Sequence, residues 1–258
     1  MRKKKVGEFA IKGFAIKSFG LLVVLGAAYL GTGNLSTANL IMVNQAMAQD
    51  ATTPYPNIVP TKMAPIDQYL MTDQGAEIAL ARSAAPESIS RDAEVLVLGL
   101  HGFETAVKGK NGFVCIVERS WTSAADADFW NPKVRTPICY NPAAAHSLLP
   151  RNIKRTDLIL AGRTKAQTDE TIVAAVDKKE LPAMEPGAMC YMMSKQGYGG
   201  HTTEHWPSHL MFFYTDADLA SWGANLPGSP VVAMSDPVEH LTQFVIPVQR
   251  WSDGTDNR

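Results

Sequence analysis

The chain lacks the short motifs that identify the common enzyme classes. It contains no G-x-S-x-G, S-x-x-K, H-E-x-x-H or C-x-x-C motif, no phosphate-cradling glycine loop and no EF-hand loop. These absences count against the familiar serine hydrolases, redox thiol proteins and nucleotide-dependent enzymes. The sequence therefore names no reaction, and its function has to be inferred from weaker signals.

The sequence also has no apolar run long enough to cross a bilayer. Its main apolar segment, Phe19–Leu30, falls short of the roughly 20 residues that a membrane-spanning helix needs. Six basic residues precede this segment and an Ala46-Met47-Ala48 site follows it, which is the three-part pattern of a secretory signal peptide. Residues 1–48 are therefore predicted to be a signal peptide that is cleaved before Gln49. Retention of the leader as an anchor and an earlier cut after Ala38 stay open.

The mature chain is predicted to be periplasmic or secreted, and it has no basic excess. Because the leader holds six of the 24 Lys and Arg residues and one of the 25 Asp and Glu residues, 18 basic and 24 acidic residues remain. Such a chain gains little from the counterion release that drives nucleic-acid binding, so no nucleic acid is expected as a partner. No stable membrane span is expected after cleavage. One local basic cluster is predicted to be the solvated side of a helical stretch; it comprises Arg151, Lys154, Arg155, Arg163 and Lys165.

Cysteine is scarce, and the three in the chain are Cys115, Cys139 and Cys190. Export allows disulfides to form, and three cysteines allow at most one within the chain. The first choice is Cys115 with Cys139, because the proline-rich segment between them can fold back. Pairing of Cys190 with either one stays open. The cysteine left over is expected to be a buried, inert thiol rather than a nucleophile, because Cys115 and Cys190 lie in apolar, strand-like runs.

Proline marks the boundaries of the predicted domain. Four prolines between positions 50 and 65 favour extended backbone, so residues 49–65 are predicted to be an extended arm or linker. Residues 66–258 are predicted to form a single globular domain. Within it, Thr122–Pro150 is again rich in proline and is predicted to be a long loop, a kind of segment that is often functional.

Three stretches of the domain show the residue spacing of helices. Ile66–Arg82 is predicted to form one broken helix or two short ones, with Asp73 as a cap. Thr156–Ala161 is the second stretch. The third runs from Thr168, a cap candidate, to Lys179.

Strand signals are strongest in the middle of the chain. Glu94–His101 and Phe113–Trp121 are predicted to pair as a hairpin through a turn at Lys108–Gly112. The first of these strands is apolar on both faces, so it should lie inside the sheet and be covered on both sides. Because strands come in consecutive pairs, the predicted fold class is α+β, with a mainly antiparallel sheet of about five or six strands flanked by helices. The later strands are Ala188–Ser194, His209–Thr215, Val231–Met234 and Thr242–Val248.

Three of the six histidines fall within nine residues, and they define a candidate metal site. A helix over His201, His205 and His209 is disfavoured because Pro207 interrupts it, so a loop leading into a strand is predicted. Neutral imidazoles and a carboxylate are ligands that Zn²⁺ or another divalent transition metal accepts. In this hypothesis the three histidines bind the metal and Glu204 is the general base. Histidines that only hydrogen-bond to backbone or solvent are the simpler interpretation.

Aromatic residues are dense in the same region and define a second candidate site. Tyr198, Trp206 and Trp222 lie in loops rich in glycine and proline, where large rings beside polar groups are typical of a small-molecule or glycan pocket. Rings in the strand Phe212–Tyr214 are explained by the core alone.

Four strings of the sequence stand out: NGFVCIVERSW, GAMCYMMSKQGY, HWPSHLMFFY and WGANLPGSPV. They resemble an uncharacterised family of exported bacterial proteins that has no assigned activity. The resemblance covers about residues 93–255, and it implies export but no catalytic residue.

Two hypotheses on function follow from these signals. The favoured one is an exported binding or accessory protein with an aromatic-lined loop surface, whose partner is a small molecule, a glycan or an envelope protein. The alternative is a metal-dependent hydrolase that uses His205 and His209, with His201 or His101 completing the ligand set and Glu204 as the general base. A third hypothesis, catalysis by a cysteine, has less support than either of these two.

Overall fold

The computed structural model describes residues 60–122, 128–200, 206–236 and 239–257. Residues Pro56–Arg258 cluster as one compact unit. The predicted signal peptide, most of the predicted arm and three candidate site residues, His201, Glu204 and His205, lie outside the described residues. Among the helices in the described ranges, none is long and apolar enough to cross a membrane.

The described residues contain five α-helices and eight strands. The helices are α1 (Gln74–Arg82), α2 (Glu87–Ser90), α3 (Pro142–Ser147), α4 (Leu149–Leu160) and α5 (Lys165–Asp177). The strands are β1 (Glu94–Gly99), β2 (Gly102–Val107), β3 (Val114–Glu118), β4 (Thr136–Tyr140), β5 (Met189–Met192), β6 (His209–Tyr214), β7 (Val232–Asp236) and β8 (Leu241–Pro247).

The eight strands form one sheet in the order β2-β1-β3-β4-β5-β6-β8-β7. All neighbouring pairs are antiparallel except β1 and β3, which are parallel. The predicted α+β class with a mainly antiparallel sheet is confirmed, but the prediction of five or six strands was wrong. It missed β2, whose central residues are exposed, and β4, whose Pro137 argues against a central strand.

The predicted hairpin between Glu94–His101 and Phe113–Trp121 was also wrong. The chain reverses after β1 through a tight turn at Leu100 and His101, so β2 pairs with β1 and β3 joins its other side. The connection from β2 to β3 passes over the start of β1. Gly109 lies at this crossing, where a Cβ atom would be 2.4 Å from the backbone nitrogen of Glu94, so no larger residue fits.

Helices pack on both faces of the sheet at β1, β3 and β4. On one face, here called the α1 face, Val95, Cys115 and Val117 pack against residues of α1. On the opposite face, here called the α4 face, alternate residues such as Leu96 and Ile116 pack against α3 and α4. Successive side chains of a strand point to opposite faces, so β1 is covered on both sides, as its apolar sequence predicts.

The disulfide joins Cys115 and Cys139, which confirms the first choice of the sequence analysis. The two residues are direct cross-strand partners on β3 and β4, with their Cα atoms 4.0 Å apart. Cys190 is free and fully buried on the α4 face. Burial raises the pKa of its thiol well above the usual value, so the thiol is not a nucleophile in the folded protein.

Other local predictions have mixed outcomes. Asp73 caps α1, where its side chain accepts a hydrogen bond from the backbone N–H of Ala76. The cap of α5 is Thr164 and not Thr168, which is fully buried; Thr164 forms a reciprocal capping box with Gln167. The predicted loop Thr122–Pro150 contains β4, α3 and the start of α4, because strand pairing overrides the proline signal.

The basic cluster is a solvated surface only in part: Arg163 is exposed and Lys154 and Lys165 are partly exposed, but the two arginines on α4 are not. The side chains of Arg151 and Arg155 are buried. Arg155 pairs with Asp169, at 2.6 Å between Nη1 and Oδ1, and with Glu239, while Arg151 donates to the Glu239 carbonyl oxygen at 2.9 Å. These arginines therefore attach α4 to α5 and to the turn before β8.

Candidate functional site

A pocket that is open to solvent lies where β4 and β5 separate. The two strands pair at Cys139 and Tyr191, but contact between the two chain segments resumes only at the bridge of Arg135 with Tyr198. Between these two points the chain advances by four residues on the β4 side and by seven residues on the β5 side. The surplus residues bulge out and leave a gap in the sheet.

Pro137 explains why the ladder breaks at this place. The backbone N–H and C=O of Arg135 both form hydrogen bonds with Tyr198. The backbone nitrogen of Pro137, two residues further along the strand, therefore also points toward the β5 segment. Proline has no N–H to donate, and a β5 residue opposite it would lose its partner. Gly197 lies against the proline instead, at a position where a Cβ atom would be 2.9 Å from Pro137 Cδ.

The pocket lies on the α4 face. Cross-strand partners project from the same face, and Tyr140 pairs with Cys190, which shares its face with Met192 and with the partner of Met192, His209. We call this site the Trp206 pocket. Its lining includes Thr136, Pro137, Met192, Tyr198, Trp206 and His209.

His209 presents a hydrogen-bond acceptor to the Trp206 pocket. Its Nδ1 lies 2.7 Å from the carbonyl oxygen of Pro207, and because a carbonyl only accepts, Nδ1 carries the hydrogen. The residue is 2 % exposed, and this burial lowers the pKa of the imidazole, so the ring is neutral near pH 7. The lone pair is then on Nε2, an atom that can accept a hydrogen bond or bind a metal ion.

Trp206 forms the outer wall of the pocket. Its ring lies 5.7 Å from that of His209, tilted by 49°, and 41 % of the residue remains exposed. Tyr198 stands across the gap, held by its two backbone hydrogen bonds to Arg135. The guanidinium of Arg135 donates to carbonyl oxygens, among them those of Pro132 and Val134 at 2.7 Å each.

The structure brings three of the predicted site residues together and places a fourth elsewhere. Tyr198, Trp206 and His209 line the same pocket. Trp222 stacks on Phe244 with 4.1 Å between ring centroids and contacts Phe212, a side chain on the opposite face of β6 from His209. The prediction that Trp222 binds a ligand is not tested by this packing.

The metal hypothesis is not tested either, because His201, Glu204 and His205 lie outside the described residues. Within the described ranges, no group of three or more histidine, cysteine and acidic residues is arranged to hold a metal ion.

A polar triad beside the pocket was missed by the sequence analysis. Glu118 is the cross-strand partner of the pocket residue Thr136. Its carboxyl accepts hydrogen bonds from the Tyr140 hydroxyl and from Asn152 Nδ2, the latter at 3.2 Å. Desolvation raises the pKa of Glu118 to about 7, while the two hydrogen bonds act in the opposite direction. No sequence signal identifies the triad, because its members are up to 34 residues apart and meet only through packing of α4 on the sheet.

Comparison with known proteins gives no match: no family model, no curated protein and no solved structure is significantly similar to the chain.

Proposed function

We propose that this protein is an exported binding protein that holds a small ligand in the Trp206 pocket. The observation that carries the proposal is the convergence of two large rings and a neutral imidazole, from Tyr198, Trp206 and His209, at a gap in the sheet. Ligand pockets are typically concave, rich in aromatic groups, equipped with a few polar ones and formed before the ligand arrives.

The exposure of Trp206 supports a binding role. Among the described residues, five large apolar side chains remain exposed, and Trp206 alone of these lines the pocket. A tryptophan at the rim of a pocket offers a large apolar surface at little cost in side-chain entropy. The other four are Leu100, Leu226, Val232 and Met234.

Because residues 1–48 are predicted to be a signal peptide, we expect this binding to take place in the periplasm or outside the cell. The ligand in this proposal is a diffusible small molecule or one unit of an envelope glycan. An envelope protein is the less favoured partner, because the pocket is too small to accept more than one side chain.

The test is a ligand-observed NMR screen of small neutral fragments against the mature chain. We expect fragments to bind the natural protein and to lose most of their signal with Trp206→Ala. Leu226→Ala removes a similarly exposed apolar side chain outside the pocket lining and should leave binding unchanged. Fragments that bind equally to all three proteins, or an absence of binding, would overturn the proposal.

A metal-dependent hydrolase is the second candidate, and one observation favours it. Metal-bound histidines usually donate their other ring N–H to a carboxylate or a carbonyl, as His209 does to Pro207. Elemental analysis of the purified mature protein tests this candidate. Near-stoichiometric transition metal that is lost in His209→Ala supports it, and a metal-free natural protein that does not take up zinc in dialysis rules it out.

A further inference from the structure

The chemistry of the Trp206 pocket limits the class of ligand it can accept. Among the described residues that line it, no side chain carries a full charge. Arg135, the arginine that flanks the pocket through its bridge to Tyr198, has its guanidinium engaged by backbone carbonyls. An anionic ligand would therefore lose its hydration without gaining a cationic partner, which is strongly unfavourable.

The imidazole of His209 favours a ligand that carries a hydrogen-bond donor. Because Nδ1 donates to the carbonyl oxygen of Pro207, the other ring nitrogen, Nε2, is the one that can accept a hydrogen bond. A ligand with an O–H or N–H group at this position can donate a hydrogen bond to Nε2. A ligand with only acceptors leaves Nε2 desolvated and unpaired, at a cost in affinity.

The aromatic walls of the pocket favour a ligand that has an apolar ring face. Trp206 and Tyr198 offer broad, weakly polar surfaces, and Trp206 is open enough for a ring to lie against it. Thr136 and Ser194 add hydroxyl-bearing residues to the lining between these walls. Together, the uncharged lining, the His209 acceptor and the aromatic walls favour a neutral ring that has C–H groups on one face and several hydroxyl donors around its edge.

We infer that the ligand of the Trp206 pocket is a neutral saccharide ring, with one of its hydroxyl groups donating to His209 Nε2. This inference rests on the proposed binding function and names the ligand class for it. The ring is either a free monosaccharide or the end unit of a glycan chain, because the exposed position of Trp206 leaves room for a chain to continue into solvent.

Isothermal titration calorimetry with the mature chain tests the inference. The probes are glucose, galactose, mannose and N-acetylglucosamine, with glucuronic acid as the charged comparison and indole as the flat aromatic one. We expect at least one neutral sugar to bind, and glucuronic acid to bind at least 10-fold more weakly than glucose. An oligosaccharide of the best sugar distinguishes the sources: tighter binding of the oligosaccharide indicates a glycan end, and equal or weaker binding indicates a free sugar.

Two variants isolate the role of His209. His209→Gln keeps a hydrogen-bond acceptor near the position of Nε2 and should retain most of the affinity, whereas His209→Phe keeps only a ring and should lose at least 10-fold. Since His209 is buried, either variant can fail to fold, so a second measurement uses the natural protein. The per-O-methylated form of the best sugar keeps the ring but has no O–H donor, and it should not bind.

The saccharide inference and the proposed function fail in different ways. If other fragments bind at Trp206 while no neutral sugar does, or if the methylated sugar binds as well as its parent, the saccharide inference is overturned and the binding function stands. If neither sugars nor other fragments bind, both are overturned.

Discussion

Arg119 and Glu77 form an ion pair inside the protein, with 2.8 Å between Nη2 and Oε1 and with both side chains almost fully buried. Arg119 lies at the end of β3 and Glu77 on α1, so the pair attaches the helix to the sheet on the α1 face. Arg119 also donates from Nε to the carbonyl oxygen of Tyr69 at 2.7 Å. A buried charge of this kind is stable only while its partner remains.

Glu77→Gln should therefore destabilise the protein by about 3 kcal/mol or more, because Arg119 is left charged and unpaired in the interior. Urea unfolding of the mature chain measures the loss. Glu170→Gln, an exposed substitution on α5, is the control and should change stability by less than about 0.5 kcal/mol. A loss below about 1 kcal/mol for Glu77→Gln would show that water reaches the arginine.

Glu118→Gln should change the pH dependence of stability. The pKa of Glu118 is raised to about 7 in the folded protein from an ordinary value of 4.5. Its favourable contribution is therefore complete below about pH 4.5 and is lost as the pH rises through 7, where the carboxyl must ionise away from water. Glutamine keeps the acceptor for Tyr140 and Asn152 but cannot ionise, so the variant should be the more stable protein at pH 8, by at most about 3 kcal/mol.

Thermal unfolding from pH 4 to pH 9 measures this effect. The gain in the unfolding free energy of Glu118→Gln should shrink as the pH falls and vanish near pH 4.5. Glu104→Gln, an exposed substitution on β2, gives the baseline. A gain that does not depend on pH would contradict the raised pKa.

The thiols should be counted in three states of the protein. In the folded mature chain no thiol should react with Ellman's reagent, because Cys115 and Cys139 are joined and Cys190 is fully buried. Denaturation without reductant should release one thiol, and denaturation after reduction should release three. A reactive thiol in the folded protein would revive the hypothesis of cysteine catalysis.

The leader should be removed on export. Intact mass spectrometry of the periplasmic fraction from a bacterial expression host should give a chain that begins at Gln49. Replacing Val23 and Val24 by Asp breaks the apolar segment and should leave the full chain inside the cell. Recovery of the natural sequence in the cytosol with Met1 still attached would contradict the predicted export.

The sequence predicts those parts of the fold that depend on local pattern. Strands such as β6, with apolar residues on both faces, and helices with a clear cap such as Asp73 were found at nearly their observed bounds. β4 was not predicted because Pro137 disfavours a central strand more strongly than the apolar residues Ile138 and Cys139 favour one. In the sheet that proline is accommodated at the gap, which is a property of strand pairing and not of the strand itself.

The same limit applies to the candidate site. Tyr198, Trp206 and His209 stand out because they are close in sequence and flanked by glycine and proline. Thr136 and Met192 carry no signal of their own and reach the pocket only through the register of β4, β5 and β6. Contacts between distant segments of this kind cannot be inferred from a single sequence.

The most direct test of the account is a crystal structure of the mature chain with the tightest-binding neutral sugar of the calorimetric panel. We predict density for one sugar ring against the indole of Trp206, with a hydroxyl oxygen within about 3.2 Å of His209 Nε2. A sugar bound elsewhere on the protein, or an empty Trp206 pocket at a sugar concentration that saturates binding in solution, would contradict the account.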